Sequence, residues 1–355
     1  MKYVLTGGGT AGHIYPALAV AEKLKSIDSD SQIFYMGLSN HLEEKLAAKE
    51  GYPFLPIVSM PLTLRPSKQT FQSIRTFFKG VKMAKKHFKE IQPDAVLATG
   101  GYVSGPVGYA AHLMKIPLYI HESNAHPGVT SRFLDRYSQI TFYSYKDCLS
   151  KLKGRGEKIF SGTPIRSGFH NQKEAPMDLV LSFGGSGGQK SLNEAILTIF
   201  NNTKHLPFPW IHIYGLNWEK EFHEGLKQKP EEAEIHSYYH DLFDLMGKAS
   251  LVICGPGAQT LSELAASRKA SILIPKSYVK ENHQYYNAKA FADGGAARMV
   301  TEDELTADTL MNMVQNLMDS PAERQAMEQA AAAFHTPGSA RKIAETIISH
   351  LESRV

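Results

Sequence analysis

Short runs of apolar and β-branched residues recur along the chain and alternate with stretches whose apolar residues have helical spacing. In the first half the runs predict strands at YVLT (3–6), QIFYMG (32–37), AVLA (95–98), LYIH (118–121) and ITFY (140–143). Helices are predicted between and after them, over residues 15–26, 41–50, 69–91, 104–115 and 128–136. This alternation is typical of βαβ units and predicts a parallel sheet.

The same pattern begins again in the second half of the chain. It starts at LVLSFGG (179–185) and continues through WIHIYG (210–215), SLVICG (250–255) and ASILIPK (270–276), each followed by a helical stretch. A segment rich in Gly, Pro and charge (160–178) separates the halves, and 355 residues suit two domains. We therefore predict domains at 1–164 and 165–355. The last helix follows a break at HTPGSA (335–340) and could pack back on the first domain.

Composition narrows the class of protein. The chain is 43% hydrophobic and 21% charged, as in globular proteins. It has no run of about 18 apolar residues, so no transmembrane helix is expected. Glycines follow soon after Lys2 and no apolar core of a signal peptide is present, so none is expected. Two distant cysteines, Cys148 and Cys254, fit a reducing cytoplasm and offer no disulfide framework.

Positive charge is concentrated in the first half. Residues 1–165 carry 21 Lys and Arg against 12 Asp and Glu, whereas residues 166–355 carry 18 against 23. Between Gly51 and Lys89 there are eight basic residues and no acidic one, with aromatic and aliphatic residues among them. The segment 65–89 is therefore interpreted as a contact with an anionic membrane surface. The alternative is an ordinary helix with a core-facing aromatic stripe. Nucleic acid is disfavoured because the aromatics have helical spacing rather than the spacing of a stacking platform.

Four glycine-rich turns stand at the ends of predicted strands: GGGTAGH (7–13), TGGYVSGP (99–106), GGSGGQKSLN (184–193) and CGPGAQTLSELA (254–265). A glycine turn that leads into a helix offers bare N–H groups and a positive helix end, which suit a phosphate. A tight turn alone can also explain each one. None is a Walker loop, and the first departs from the dinucleotide spacing and lacks an acidic residue after the second strand. A dinucleotide site is therefore disfavoured.

Together with HESNAHPGVTSR (121–132), GTPIR (162–166) and ENHQYYNA (281–288), these turns occur in the order found in the MurG family, which the chain resembles over essentially its whole length. The resemblance implies an α/β protein of two Rossmann-like domains facing a central cleft, the GT-B glycosyltransferase fold. It also implies an inverting transfer of GlcNAc from UDP-GlcNAc to lipid I, forming lipid II in peptidoglycan synthesis. The first domain would bind the acceptor and the cytoplasmic face of the cell membrane, and the second would bind UDP-GlcNAc.

The resemblance also assigns donor-binding residues in the second half. Ser186 and Arg166 would bind the diphosphate, and Glu263, assisted by Gln284, would bind the ribose. The turn at the uracil end comprises Ala258, Gln259, Thr260, Leu261 and Ser262, with the backbone around Tyr239. Two alternatives come from the residues themselves. Arg166 could form an interdomain salt bridge, and Glu263 could be a first-turn glutamate favoured by the helix dipole.

In the first half, the resemblance places Asn124 at the transferred sugar and the loop of Thr10, Ala11 and Gly12 at the sugar and diphosphate. Ala11 stands where the family usually has glycine, and Gly255-Pro256 stands where Arg-Ser or Arg-Ala is common. His121 and Glu122 precede Asn124, and each could equally be a satisfied buried polar group.

His13 is the candidate catalytic base. The transfer needs a group that takes the acceptor's hydroxyl proton, and an imidazole with an ordinary pKa near ~6.5 can do so at neutral pH. The alternatives are that the ring positions the acceptor, caps the first helix or fills the cleft.

No metal or other cofactor is expected. The Asp28-Ser29-Asp30 triplet lies between a helix and a strand, at the end of the sheet opposite the one where ligands bind. Three other functions stay open: a related transferase with another lipid-linked acceptor, a UDP-GlcNAc 2-epimerase on the same fold, and a non-catalytic nucleotide-sugar-binding protein. An epimerase would need carboxylates around the sugar ring, where this sequence offers mostly Gly, Ser, Asn and one His.

Overall fold

All strand pairings among the described residues are parallel, and they form two separate sheets. The computed structural model describes residues 1–61, 67–165, 177–239, 242–279 and 282–354. The chain divides into two units, Met1–Arg166 with Thr336–Val355, and Ser167–His335. Each unit contains one sheet, so each is a Rossmann-like domain, and the prediction of an α/β protein with two such domains is confirmed.

The sheet of the first unit has the strand order β3-β2-β1-β4-β5-β6-β7. Its strands are β1 (Lys2–Thr6), β2 (Gln32–Leu38), β3 (Phe54–Ile57), β4 (Ala95–Ala98), β5 (Leu118–Glu122), β6 (Ile140–Tyr143) and β7 (Glu157–Phe160). The helices are α1 (Ala11–Ile27), α2 (Leu42–Lys49), α3 (Lys68–Ile91), α4 (Gly101–Leu113), α5 (Val129–Leu134) and, from the end of the chain, α13 (Ser339–Glu352). The order reverses between β1 and β4, where ligands of such sheets bind.

Alternation along β1 divides the core of this unit between the two faces of the sheet. Tyr3 and Leu5 belong to a buried cluster with apolar residues of α1 and α13, whereas Val4 belongs to a second cluster with residues of α3 and α4. The last helix packs on α1 and is fastened to the sheet by a 2.6 Å hydrogen bond between Tyr119 Oη and His350 Nδ1. The helix that ends the chain is therefore part of the first unit's core.

The second sheet has the order β10-β9-β8-β11-β12-β13. Its strands are β8 (Val180–Phe183), β9 (Trp210–Ile213), β10 (Ala233–His236), β11 (Leu251–Cys254), β12 (Ser271–Leu273) and β13 (Ala297–Met299). Its helices are α6 (Lys190–Asn202), α7 (Glu219–Gly225), α8 (Leu242–Lys248), α9 (Ala258–Ser267), α10 (His283–Asp293), α11 (Ala307–Met318) and α12 (Pro321–Ala333). Here the order reverses between β8 and β11.

Every strand predicted from the sequence is present, but β3, β7, β10 and β13 were not predicted. These four are the edge strands of the two sheets.

None of the described helices combines the length and apolar content that a bilayer crossing requires.

Candidate active site

The turns after β1 and β4 meet at the point where the strand order of the first sheet reverses. The N–H of Gly8 donates to the carbonyl of Gly100 over 3.4 Å, and the buried hydroxyl of Tyr35 donates to the carbonyl of Gly7 over 2.6 Å. A Cβ on Gly8 would lie 2.6 Å from Oε1 of the buried Glu43. The glycines therefore let two backbone segments and a carboxylate pack closely beneath the first turn.

His13 lies in the first turn of α1, against the backbone where α4 begins. Its Nδ1 is 3.0 Å from Thr10 Oγ1, and its carbonyl accepts a 2.5 Å hydrogen bond from Thr99 Oγ1. A Cβ on Gly100, whose φ is +111°, would come within 2.6 Å of the ring's Cδ2. The ring is half-buried, and it is oriented by Thr10, the residue at the helix cap position. Thr10, Ala11, Gly12 and His13 thus form one turn of chain over the start of α4.

The loop after β5 is organised by Glu122. This buried carboxylate accepts hydrogen bonds from the backbone N–H and the side-chain amide of Asn124, at 2.8 and 2.9 Å, and from the N–H of Gly128 at 3.0 Å. His121 is also buried, with Nε2 2.9 Å from the carbonyl of Gly162, and burial lowers its pKa to about 4. These contacts favour the alternative that His121 and Glu122 are satisfied buried polar groups. Asn124 is held in place by Glu122.

The glycine turn after β8 presents unused backbone donors. Within the described ranges, the N–H groups of Gly185, Ser186 and Gly187 donate to no acceptor. Ser186 is exposed, and its carbonyl accepts from the N–H of Leu216 over 3.0 Å, which holds the turn in place. Successive bare N–H groups at the start of a helix form an anion-binding concavity.

The turn after β11 leads into α9, which begins at Ala258. Glu263 therefore lies in the second turn of the helix, so the alternative of a first-turn glutamate is wrong. Its carboxylate is 4% exposed, and Oε1 accepts a 3.2 Å hydrogen bond from Nε2 of the buried Gln259. Leu261 is fully buried and its N–H donates to the carbonyl of Gly257 over 2.9 Å, whereas Ser262 is half-buried. Thr260 is half-buried as well.

Three further residues were predicted to bind the donor. Gln284, in the first turn of α10, accepts the N–H of Lys276 on Oε1 over 3.0 Å. Tyr239 is half-buried after β10, with its ring centroid 5.2 Å from that of His236. Arg166 lies outside the described residues.

Two charged residues that the sequence analysis missed lie at the same end of the second sheet. Lys276 Nζ donates to the carbonyls of Gly184 and Gly188 over 3.0 and 2.8 Å. Glu302 accepts hydrogen bonds from the hydroxyls of Ser191 and Ser277, both over 2.6 Å. The available signal was a lysine directly after the buried run ASILIP, at the carboxyl end of a parallel strand.

Among the residues that the structure describes, no three or more His, Cys, Asp or Glu side chains are grouped as they would need to be to hold a metal ion.

Comparison with known proteins shows the family of the two domains. The family models described as the glycosyltransferase family 28 N-terminal domain and C-terminal domain match residues 3–142 and 179–347. A Halalkalibacterium halodurans protein named UDP-N-acetylglucosamine--N-acetylmuramyl-(pentapeptide) pyrophosphoryl-undecaprenol N-acetylglucosamine transferase is 36% identical over 97% of this chain and 98% of its own.

Solved structures give the same result for the fold. The crystal structure of Acinetobacter baumannii MurG matches with a TM-score of 0.75 and 27% identity, over 98% of this chain and 100% of that one. A UDP-GlcNAc 2-epimerase from Neisseria meningitidis matches with a TM-score of 0.68 at 14% identity, over 98% of this chain and 100% of that one, which shows a shared fold alone. With two family 28 domains and relatives of this identity over nearly its whole length, the chain belongs to the MurG family of UDP-GlcNAc-dependent glycosyltransferases, as its ordered motifs predict.

Proposed function

We propose that the protein transfers GlcNAc from UDP-GlcNAc to lipid I, with inversion at the anomeric carbon, and releases UDP. The observation that carries the proposal is the glycine turn at the reversal point of the second sheet. Its three consecutive N–H groups, on residues 185–187, have no acceptor among the described residues. A diphosphate offers the oxygens that such a turn binds.

The donor is assigned to the second unit. The hydroxyl of Ser186 and the neighbouring N–H groups bind the diphosphate, and Glu263 accepts hydrogen bonds from the ribose hydroxyls beside Gln284. The start of α9, from Ala258 to Ser262, and the backbone near Tyr239 bind the uracil. Leu261 is fully buried, so it supports this turn from the core. Arg166 is assigned a charge-assisted contact with the diphosphate.

The proton transfer is assigned to His13 in the first unit. The hydroxyl oxygen of the acceptor attacks the anomeric carbon, the bond from that carbon to the diphosphate oxygen breaks, and UDP leaves with the electron pair. His13 takes the hydroxyl proton on Nε2 while Nδ1–H donates to Thr10 Oγ1, 3.0 Å away. Asn124, together with the backbone of Thr10, Ala11 and Gly12, binds the transferred sugar.

No metal ion is included in this proposal. The negative charge that develops on the departing UDP is stabilised by the backbone N–H groups of the turn, by the N-terminal end of α6 and by cationic side chains. Activity that is unchanged after dialysis against a chelator would support this part, and activity restored only by a divalent cation would refute it.

The transfer assay separates the proposed reaction from its alternatives. With UDP-GlcNAc and lipid I, we expect UDP and a disaccharide lipid in equal amounts. With UDP-GlcNAc alone, an epimerase would produce an isomer of the sugar nucleotide, whereas this protein should leave the donor unchanged. Product with a different lipid-linked acceptor and none with lipid I would refute the acceptor assignment. UDP-GlcNAc binding without transfer to any lipid would indicate a binding protein.

Peripheral contact with an anionic membrane is assigned to α3, within the segment 65–89, whose first two residues lie outside the described residues. Phe71, Ile74 and Phe78 follow one another at helical spacing and are 71%, 44% and 58% exposed. The alternative of an entirely core-facing stripe does not account for them. Exposed basic residues surround them, namely Lys68, Arg75, Lys79, Lys82 and Lys86. Each cation near an anionic surface contributes roughly 1 kcal/mol.

We place this contact at the cytoplasmic face of the cell membrane, where two buried free cysteines would stay reduced.

Sedimentation with vesicles tests this assignment. Replacing Phe71 and Phe78 by serine should reduce binding to vesicles rich in phosphatidylglycerol and leave the melting temperature unchanged, because both side chains are exposed. Phe160→Ser, at a 41% exposed position on β7, is the matched control. Vesicle binding that changes neither with the anionic lipid content nor with the double substitution would refute the contact.

A further inference from the structure

Lys276 connects three elements at the carboxyl ends of the second sheet. It follows β12, its backbone N–H donates to Gln284 in α10, and its side chain reaches past β11 to the turn that follows β8. Gly255 lies beside this path, since a Cβ there would be in van der Waals contact with Lys276 Cε at 3.9 Å. The lysine therefore crosses the position where the order of the strands reverses.

Among the described residues, the charge of Lys276 is not balanced by an ion pair. Within the described part of the chain, no carboxylate lies within 4.0 Å of Nζ, and both of its hydrogen bonds go to neutral carbonyls. An ammonium has three donors, so one has no protein acceptor there. Glu302 approaches but is occupied by the hydroxyls of Ser191 and Ser277. Burial lowers the pKa of Lys276, and Glu302 partly opposes this effect. A half-buried cation without a counter-ion is unfavourable unless an anion joins it.

The two carbonyls show how this lysine acts on the turn. In a trans peptide, the carbonyl and the N–H of the next residue point in opposite directions. Because Lys276 draws the carbonyls of Gly184 and Gly188 towards itself, the N–H groups of Gly185 and Gln189 point away from it. The lysine thereby directs the N–H of Gly185, one of the three unused donors, away from itself.

A buried polar atom lies beside the same path. Gln189 is fully buried and donates to the carbonyl of Ile274 over 3.0 Å, but its Oε1 has no hydrogen-bond partner in the part of the chain that the structure describes. A Cβ on Gly255 would lie 3.1 Å from this oxygen. Within the described ranges, Gln189 Oε1 therefore lacks a donor, and it lies beside Lys276, which lacks a counter-ion there. Unpaired polar groups of this kind are rare in regions that serve only stability.

We propose that Lys276 is a positioning residue for the donor diphosphate: it holds the 184–188 turn in its anion-binding form and supplies the positive charge that balances the diphosphate. This inference rests on the proposed function and assigns part of the diphosphate's charge balance to a side chain outside the glycine-rich motifs. The charge acts most strongly when UDP leaves, because the leaving group then gains negative charge.

Lys269 provides a matched control in the same unit. Its Nζ also donates to two carbonyls, those of Gly247 and Ala249, over 2.7 and 3.0 Å, and burial also lowers its pKa. It follows α9 and anchors the end of α8, away from the glycine turn. A lysine that only ties carbonyls together should behave in the same way at both positions.

The test compares the binding of UDP and of uridine by calorimetry in the full-length protein. In Lys276→Met we expect UDP to bind about 10- to 100-fold more weakly, the range for losing a charged interaction, while uridine affinity changes less than about twofold. Lys276→Arg should keep most of the UDP affinity. Lys276→Gln keeps a donor for the carbonyls without the charge, so it should resemble Lys276→Met and replaces that variant if it does not fold. Lys269→Met should lower the melting temperature and leave both affinities unchanged.

Turnover adds a second readout. Lys276→Gln should lower kcat as well as raise KM for UDP-GlcNAc, because the charge on the leaving group is greatest in the transition state. Folded Lys276→Gln with the UDP affinity of the unmodified protein would overturn the inference, and so would an equal loss for UDP and uridine. If the unmodified protein binds neither UDP nor UDP-GlcNAc, the proposed function fails and the inference fails with it.

Discussion

Replacing Thr10 by valine tests whether His13 acts as the base in an orientation set by its neighbour. The substitution keeps the shape of the side chain and removes only the hydroxyl, 3.0 Å from His13 Nδ1. Thr10 is exposed, and its side chain makes no capping hydrogen bond to the helix backbone. The fold should therefore be unaffected, and any change in rate reports on the ring.

The expected sizes of the effects differ by orders of magnitude. One hydrogen bond of this kind contributes about 0.5–1.5 kcal/mol, which corresponds to a fall in kcat of about 2- to 13-fold for Thr10→Val. His13→Ala removes the base itself, and general base catalysis contributes about 10²- to 10⁴-fold. Because Thr10 would act only through His13, adding Thr10→Val to His13→Ala should lower kcat no further.

The assay measures UDP release at saturating UDP-GlcNAc and lipid I for the unmodified protein, the two single variants and the double variant. Near-normal turnover in His13→Ala would remove the residue from the mechanism. A Thr10→Val effect of the same size with and without the imidazole would mean that Thr10 acts on the substrate directly. An effect on KM for UDP-GlcNAc with kcat unchanged would assign Thr10 to donor binding instead.

Three further predictions concern the first unit. Gly100→Ala should lower both the melting temperature and kcat, because φ at Gly100 is +111° and the new methyl group would lie 2.6 Å from His13 Cδ2; thermal unfolding and turnover measure the two effects. Tyr119→Phe should reduce the free energy of unfolding by about 1 kcal/mol, since it removes the 2.6 Å hydrogen bond to His350 that fastens α13; urea titration checks this, and an unchanged midpoint would contradict it. The free energy of unfolding should also fall as pH drops from about 6.5 towards 4, by roughly 3 kcal/mol from His121, because the unfolded chain takes up a proton that the buried ring does not; His121→Gln should flatten this dependence.

The sequence pattern determined the central strands well, because both of their faces are covered by helices. β4 and β6 match their predicted runs residue for residue, and every residue in each of these strands is buried. A strand with two buried faces must be apolar throughout, which makes it visible as a continuous run. The order of the motifs along the chain was equally informative, because it predicted the family without reference to the tertiary structure.

The edge strands could not be recognised from the sequence pattern in the same way. The four missed strands, β3, β7, β10 and β13, all contain partly or fully exposed residues, and β3 contains Pro56. An edge strand is covered less and tolerates polar residues and proline, so its sequence lacks the apolar run. Pairing with a neighbouring strand, rather than local composition, makes these segments strands.

The site shows the same division between sequence and tertiary structure. The sequence located the four glycine-rich turns and His13, since bare backbone and an imidazole have recognisable local signals. Only the fold paired the turn after β1 with that after β4, and the turn after β8 with that after β11, because strand order is decided by packing across the sheet. It also brought Lys276 to Gly184 and Gly188, which are 92 and 88 residues away along the chain. No local pattern records a contact between distant strand ends, so the roles of such residues are decided by the tertiary structure.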